Sequence, residues 1–111
     1  MEIIPVNSLA SADIELLGQA QAVADQAYAP YSKFKVGAAV RTSSNAIFSG
    51  CNMENAAIES VHAEIAACTA AITAGDDEIV TIAIAAASGA APRPDLLSPC
   101  GSCRQVLFEF A

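Results

Sequence analysis

The central part of the chain reads Ser60-Val-His-Ala-Glu-Ile-Ala-Ala-Cys-Thr-Ala-Ala-Ile-Thr-Ala-Gly75, and after three acidic residues it continues as Ile79-Val-Thr-Ile-Ala-Ile84. Apolar residues recur at helical spacing in the first run, which predicts a helix over 61–73 capped by Ser60 and ended by Gly75. The second run is β-branched and almost wholly apolar, as expected for a strand covered on both faces. A helix followed by a buried strand indicates an α/β protein.

The sequence before this centre predicts one helix and one hairpin. Ser11 is a suitable N-cap for a helix with acidic residues in its first turn, and Pro30 ends that helix. The runs 34–41 and 46–52 are predicted strands, because Thr42-Ser-Ser-Asn45 between them supplies turn residues. Each strand contains a glycine, Gly37 or Gly50, which often marks the close approach of another backbone.

The sequence after the central strand predicts a third helix. Pro99 suits its first position, and the helix would carry residues 104–110. The resulting order is helix, hairpin, helix, strand, helix. A length of 111 residues suits one domain, and we assign 1–111 to a single α/β unit.

Composition excludes several classes of protein. Five Lys and Arg residues against twelve Asp and Glu give a net charge of −7, so nucleic acid is not an expected partner. The uncharged stretch 79–92 is shorter than the roughly 20 residues that cross a bilayer, so no membrane association is expected. No signal peptide is visible, which favours a cytoplasmic protein and argues against disulfides for the four cysteines.

Two short segments carry a candidate metal site. His62-Ala-Glu64 opens the second predicted helix, and Pro99-Cys-Gly-Ser-Cys103 opens the third. A Cys-x-x-Cys pair at a helix start places both sulfurs on one side of the first turn, where the helix dipole favours thiolate. His62, Cys100 and Cys103 would supply three ligands to one Zn²⁺ per chain and leave the fourth position for water, as catalytic zinc sites do.

Glu64 is the candidate catalytic residue. Two positions after His62, its carboxylate would lie near the metal without coordinating it, and could take a proton from the water there. The order H-x-E followed by P-C-x-x-C is a known signature of zinc-dependent nucleobase deaminases.

The chain resembles the cytidine deaminase family beyond this signature. The segments that carry the resemblance are Tyr28-Ala-Pro-Tyr-Ser-Lys-Phe34, Val36-Gly-Ala-Ala39, Gly50-Cys-Asn-Met-Glu-Asn55 and Pro99-Cys-Gly-Ser-Cys-Arg-Gln-Val106. The resemblance implies a three-layer α/β/α fold with a mixed sheet and helices on both faces. It also implies that Asn52 and Glu54 hold the ribose hydroxyls and that Phe34 packs on the pyrimidine. The substrate-binding residues it implies at the base edge and the leaving amine are Ala63, Ser98 and Pro99.

Three features depart from the family pattern. His62 and Ile65 stand where small-subunit members usually have Cys and Arg, as if both had been exchanged together. The segment 56–61 is about one residue shorter than usual, which bears on base and sugar preference. The sequence ends soon after the third predicted helix, where family members normally add two strands, so those C-terminal strands are expected to be absent.

The function that we predict is zinc-dependent hydrolytic deamination of cytidine or deoxycytidine to the uridine product and ammonia, as in pyrimidine salvage. One alternative is deamination of another aminopyrimidine nucleoside such as blasticidin S. The other is a zinc-binding, nucleoside-binding protein without turnover. The resemblance further implies a homo-oligomer, a tetramer in which neighbouring subunits help to close each active site.

Overall fold

A computed structural model describes residues 10–57, 60–87 and 101–110, and in the last segment the side chains of residues 105 and 107–110 only. The elements follow the predicted order, and they are α1 (Ser11–Ala24), β1 (Val36–Thr42), β2 (Ile47–Cys51), α2 (Ala63–Thr73), β3 (Ile79–Ala86) and α3 (Gly101–Phe110).

The sheet has the strand order β2-β1-β3, so the hairpin strand β1 lies in the middle. Both of its neighbours run antiparallel to it, with Ala38 opposite Gly50 on one side and opposite Ile84 on the other. The resemblance implied a mixed sheet. In the part of the chain that the structure describes, parallel pairing is limited to a single bridge between Tyr28 and Met53.

Helices cover both faces of this sheet, which confirms the three-layer α/β/α prediction. Alternate residues of β1 point to opposite layers, as the two-residue period of a strand requires. Ala39 packs with Leu16 and Ala20 of α1, whereas Ala38 and Val40 belong to the cluster that contains the buried face of α2. Leu107 of α3 joins this second cluster and is 1% exposed.

Two strand glycines allow the helices to approach the sheet closely, as the sequence predicted. A Cβ on Gly37 would lie 2.0 Å from the carbonyl oxygen of Ala20, in the backbone of α1. On the other face, a Cβ on Gly50 would lie 2.6 Å from the backbone nitrogen of Ala67 in α2. The three layers are therefore packed backbone to backbone at these two points.

Several predicted helix ends were wrong. Helix α1 begins at Ser11 with Ala10 at the N-cap position, so Ser11 is not the cap, and the helix ends at Ala24 well before Pro30. Helix α2 begins at Ala63 with His62 at its N-cap position, so Ser60 does not cap it. The reason is that Val61 donates to and accepts from the backbone of Met53, which keeps residue 61 extended. Gly75 has a φ of +85°, the left-handed conformation expected just after a helix.

The prediction that β3 is covered on both faces was also wrong for the described residues. Ile82 and Ile84 are partly buried, and Val80 is 55% exposed. β3 lies at one side of the three described strands, where its β-branched composition reflects strand propensity more than full burial. Among the described residues, no helix is both long and apolar enough to cross a membrane.

Candidate active site

Three extended segments meet where β2 ends. The backbone of Tyr28 donates to Asn52 and accepts from Glu54, and the backbones of Met53 and Val61 exchange two hydrogen bonds of 2.8 and 2.9 Å. The residues that follow β2 are therefore held between the loop after α1 and the residues just before α2. This arrangement brings the Asn52–Glu54 segment close to the start of the helix that carries the first predicted ligand.

His62 and Glu64 occupy the first turn of α2. His62 is the N-cap residue, has an extended backbone with φ −78° and ψ 150°, and is exposed. Glu64 is the second helical residue and only 6% exposed. The first turn also places the Glu64 side chain near the positive end of the helix dipole. The arrangement gives one exposed imidazole next to one buried carboxylate.

Cys68 lies one helical turn after Glu64 and is 1% exposed. Burial, and secondly the neighbouring charge of Glu64, raises the pKa of the Cys68 thiol to about 11. A thiol at that pKa is protonated at neutral pH, and metal ligation requires the thiolate. This agrees with the interpretation of Cys68 as a core residue and not a ligand.

Both ends of the Asn52 side chain bind the backbone before β1. Its Oδ1 accepts from the Val36 amide at 2.8 Å, and its Nδ2 donates to the Phe34 carbonyl at 3.0 Å. The Phe34 carbonyl therefore accepts a hydrogen bond from a side-chain amide instead of from the backbone of a neighbouring strand. Strand β1 consequently begins at Val36, two residues after the predicted start.

Glu54 holds the same loop at an earlier point. Its Oε1 accepts the backbone amides of Tyr31 at 3.0 Å and Ser32 at 3.1 Å. The pKa of the Glu54 carboxyl is lowered, first by a hydrogen bond from the Ser32 side chain and then by the Ser32 backbone amide. Glu54 is therefore ionised at neutral pH.

The structure brings most of the described site residues to one end of the sheet. Phe34 is partly buried and packs against the core cluster that contains Ala63, the residue between His62 and Glu64. Phe34, Asn52, Glu54, His62, Ala63 and Glu64 thus belong to three neighbouring segments around the start of α2.

The remaining predicted residues cannot be placed in the same way. Ser98, Pro99 and Cys100 lie outside the described residues, and Cys103 lies in the first turn of α3 with its side chain outside them as well. Two of the three predicted zinc ligands are therefore undescribed. Within the described part of the chain, no three His, Cys, Asp or Glu side chains come together in a metal-binding group.

The loop contacts of Asn52 and Glu54 are the feature that the sequence analysis missed. The resemblance implied substrate contacts for both residues and no role for Tyr31 or Ser32. One signal was available, because residues two apart in an extended segment point to the same side. That spacing could have predicted that both side chains meet one neighbouring segment.

Comparison with known proteins assigns the chain to a family. Residues 10–111 match the family model described as the cytidine and deoxycytidylate deaminase zinc-binding region. A cytidine deaminase of Sporosarcina psychrophila is 39% identical over 100 residues, which are 88% of this chain and 70% of that protein. A cytidine deaminase of Mycobacterium tuberculosis is 38% identical over 95 residues, which are 85% of this chain and 68% of that protein.

Solved structures agree with this assignment. The crystal structure of cytidine deaminase from M. tuberculosis matches with a TM-score of 0.78 and 34% identity, covering 93% of this chain and 80% of that one. The 1.6 Å structure of cytidine deaminase from Burkholderia pseudomallei matches with a TM-score of 0.75 and 39% identity, covering 87% of this chain and 75% of that one. Sequence and fold together show that the chain belongs to the cytidine and deoxycytidylate deaminase family.

Proposed function

We propose that this protein catalyses the zinc-dependent hydrolytic deamination of cytidine or deoxycytidine, giving the uridine product and ammonia. The observation that supports the proposal most directly is the buried carboxylate of Glu64, two residues after His62, in a chain that matches the deaminase family over residues 10–111. A buried, ionisable group beside a candidate ligand is the arrangement that general acid–base catalysis needs.

The donor set fits one zinc ion. His62, Cys100 and Cys103 would hold it, and His62 is an exposed residue at the N-cap position of α2. Helix α3, whose first turn carries Cys103, packs against α2, so the two predicted ligand segments belong to neighbouring elements. When bound, zinc would supply the Lewis-acid chemistry that activates water at neutral pH.

Glu64 would move protons between water and substrate. Its carboxylate would accept a proton from the attacking water and pass it to the ring nitrogen next to the amine-bearing carbon. It would accept the second proton of that water and deliver it to the departing amine, so that water is consumed and ammonia is released. Because Glu64 is 6% exposed, bulk water has little access to it during these transfers.

Substrate contacts are proposed for the residues that surround this turn. Phe34 would pack on the pyrimidine, and Asn52 and Glu54 would face the ribose hydroxyls with the lone pairs and protons that their loop contacts leave free. Ala63, Ser98 and Pro99 would contact the base edge and the leaving amine.

A homo-oligomer, most simply a tetramer, is proposed on a separate observation. Tyr28, Tyr31, Met53 and Val61 are large apolar side chains between 39% and 61% exposed. Backbone bridges join Tyr28 to Met53 and Met53 to Val61, so these three residues form one apolar surface beside the site. Light scattering at micromolar concentration should report an oligomer, and a monomer with full turnover would contradict this proposal.

The activity is tested by following the absorbance of cytidine, deoxycytidine and modified cytosines with purified protein. Turnover of cytidine or deoxycytidine is expected, whereas turnover of blasticidin S alone would favour the other deaminase. Zinc content should be one per chain and should fall in Cys103→Ala but not in Cys68→Ala. One zinc per chain without ammonia release from any pyrimidine would favour the non-catalytic alternative.

A further inference from the structure

We propose that Glu54 is a positioning residue for Phe34: through Ser32 it holds residues 31–34 in the one backbone conformation that presents the Phe34 ring to the site. The claim that Glu54 holds this loop depends only on the described contacts. The claim that the loop positions Phe34 for substrate rests on the proposed function.

The Glu54 carboxylate is the only described partner of two consecutive loop amides. Tyr31 and Ser32 both donate their backbone N–H to Glu54 Oε1, and no other described group accepts from them. Of their two neighbours, Pro30 has no backbone N–H, and Lys33 donates to the Ala29 carbonyl. Without Glu54, two neighbouring amides would lose their protein acceptor at once.

Ser32 connects this carboxylate to the backbone of Phe34. The Phe34 amide donates to the Ser32 hydroxyl oxygen at 3.1 Å, and the Ser32 side chain in turn hydrogen-bonds Glu54. On its other side, Phe34 is held by Asn52, which accepts from Val36 and donates to the Phe34 carbonyl. The Phe34 carbonyl is therefore bound directly by Asn52, and the Phe34 amide is linked to Glu54 through the Ser32 hydroxyl.

The loop conformation between these contacts needs external support. Lys33 has a φ of 62°, in the left-handed region that is unfavourable for a residue with a Cβ. Such a conformation persists only when its surroundings impose it. The hydrogen bonds at residues 31, 32 and 34 lie on both sides of Lys33 and impose it. Their loss would let residue 33 relax and would turn Phe34 away from the cluster around Ala63.

A different role for Glu54 predicts different behaviour. If its carboxylate contacted only the sugar, the loop amides would not depend on it, and its effect on substrate would be independent of Phe34. If it also acts through the loop, removing Phe34 should remove the part of the Glu54 effect that is transmitted by the Phe34 ring. These two expectations can be separated by experiment.

The first experiment measures hydrogen exchange of the Tyr31 and Ser32 amides by NMR in the full chain loaded with zinc. In Glu54→Ala both amides should exchange about tenfold faster or more, because their hydrogen bonds are lost. Glu54→Gln should restore most of the protection, since the amide oxygen can still accept. Asp77→Ala, which removes an exposed carboxylate from a distant loop, should leave both rates unchanged. Unchanged exchange in Glu54→Ala overturns the proposal whether or not the protein is an enzyme.

The second experiment is a double-mutant cycle on cytidine turnover. Glu54→Ala should raise KM about tenfold, with a smaller change in kcat, and Glu54→Gln should recover most of it. In the Phe34→Ala background the same Glu54 change should raise KM several-fold less, because only the proposed contact of Glu54 with the ribose is then lost. Equal effects in both backgrounds overturn the positioning role even if the exchange result holds. If the unmodified protein turns over no pyrimidine, the proposed function fails, and the exchange experiment still decides the loop contacts; the cycle is then run on binding of cytidine.

Discussion

At each end of the sheet, one carboxylate oxygen accepts two hydrogen bonds from neighbouring residues, but the two ends have different roles. At the site end, one oxygen of Glu54 accepts two backbone amides of a loop. At the turn end, formed by residues 42–46 and 74–78, one oxygen of Asp76 accepts the hydroxyls of Thr42 and Ser44. Each end also contains one non-glycine residue in the left-handed region, Lys33 or Asn45.

The difference lies in what else supports each end. The turn end keeps backbone hydrogen bonds that do not involve Asp76, from Ser43 to the Glu78 carbonyl and between Thr42 and Ala46. At the site end, Tyr31 and Ser32 have no described acceptor besides Glu54. Because the turn end lies away from the proposed substrate residues, changes there should alter stability with little effect on turnover. Changes at the site end should alter turnover more than stability, because they affect the loop that carries Phe34.

The largest effect is expected from Glu64→Gln at the site end. It should keep zinc and the fold but lower kcat beyond the 10²–10⁴-fold typical of general acid–base catalysis, because one group serves several proton transfers. Glu78→Gln, an exposed change at the turn end, should leave kcat within about twofold. The measurement is steady-state cytidine deamination with zinc content determined on the same samples. Near-normal turnover in Glu64→Gln would contradict the mechanism.

The sequence predicted the element order, the glycine contacts and the position of His62 and Glu64 at the start of α2, because these depend on local patterns. Helical spacing and β-branched runs are read directly from neighbouring residues, and Gly37 and Gly50 stand out within strands. The starts of α2 and β1 were misplaced because they depend on long-range contacts. Val61 pairs with Met53, and the Phe34 carbonyl binds Asn52, 18 residues away. No pattern around residues 34 or 61 contains that information.

The second prediction concerns stability where the layers are closest. Gly37→Ala places a Cβ 2.0 Å from the Ala20 carbonyl oxygen, a backbone atom that cannot move without shifting α1. The free energy of unfolding should fall by at least about 2 kcal/mol. Gly18→Ala is the matched control, because nothing lies within 4 Å of its Cβ and the helix gains about 0.5–1 kcal/mol. Urea unfolding of both variants checks the pair, and a stable Gly37→Ala protein would show that the layers can separate.

The third prediction compares the two carboxylates in acid. Hydrogen bonds from Ser44 and then Thr42 lower the pKa of Asp76, and bonds from Ser32 lower that of Glu54. A carboxyl with a lowered folded-state pKa stabilises the fold above its unfolded pKa, and this contribution is lost as pH falls through the folded value. Asp76→Asn should therefore lower Tm by a few degrees at pH 7, and its difference from the unmodified protein should shrink below about pH 4.

Glu54→Gln provides the contrast for that measurement. The glutamine amide oxygen can still accept hydrogen bonds from the Tyr31 and Ser32 amides, and these amides lie in a loop outside the sheet. The Tm of the Glu54→Gln protein at pH 7 should therefore change less than that of Asp76→Asn. Thermal unfolding followed by circular dichroism from pH 3 to pH 8 gives both curves. A larger loss of Tm in Glu54→Gln than in Asp76→Asn would contradict the expectation that the turn end contributes more to stability than the site end.

The smallest effects are expected at the two left-handed residues. Asn45, with a φ of 69°, tolerates this conformation, so Asn45→Gly should change the free energy of unfolding by less than about 0.5 kcal/mol. Lys33, with a φ of 62°, does not, so Lys33→Gly should stabilise by up to about 1 kcal/mol after the added freedom of the unfolded chain is subtracted. Lys33→Ala controls for the lost charge and should not stabilise, because it keeps a Cβ.

In the Glu54→Ala background the gain from Lys33→Gly should disappear, since the loop no longer holds residue 33 in the left-handed region. Urea titrations of the four proteins would detect this, and a gain that survives the loss of Glu54 would mean that the conformation of Lys33 is imposed by Asn52 and the backbone alone.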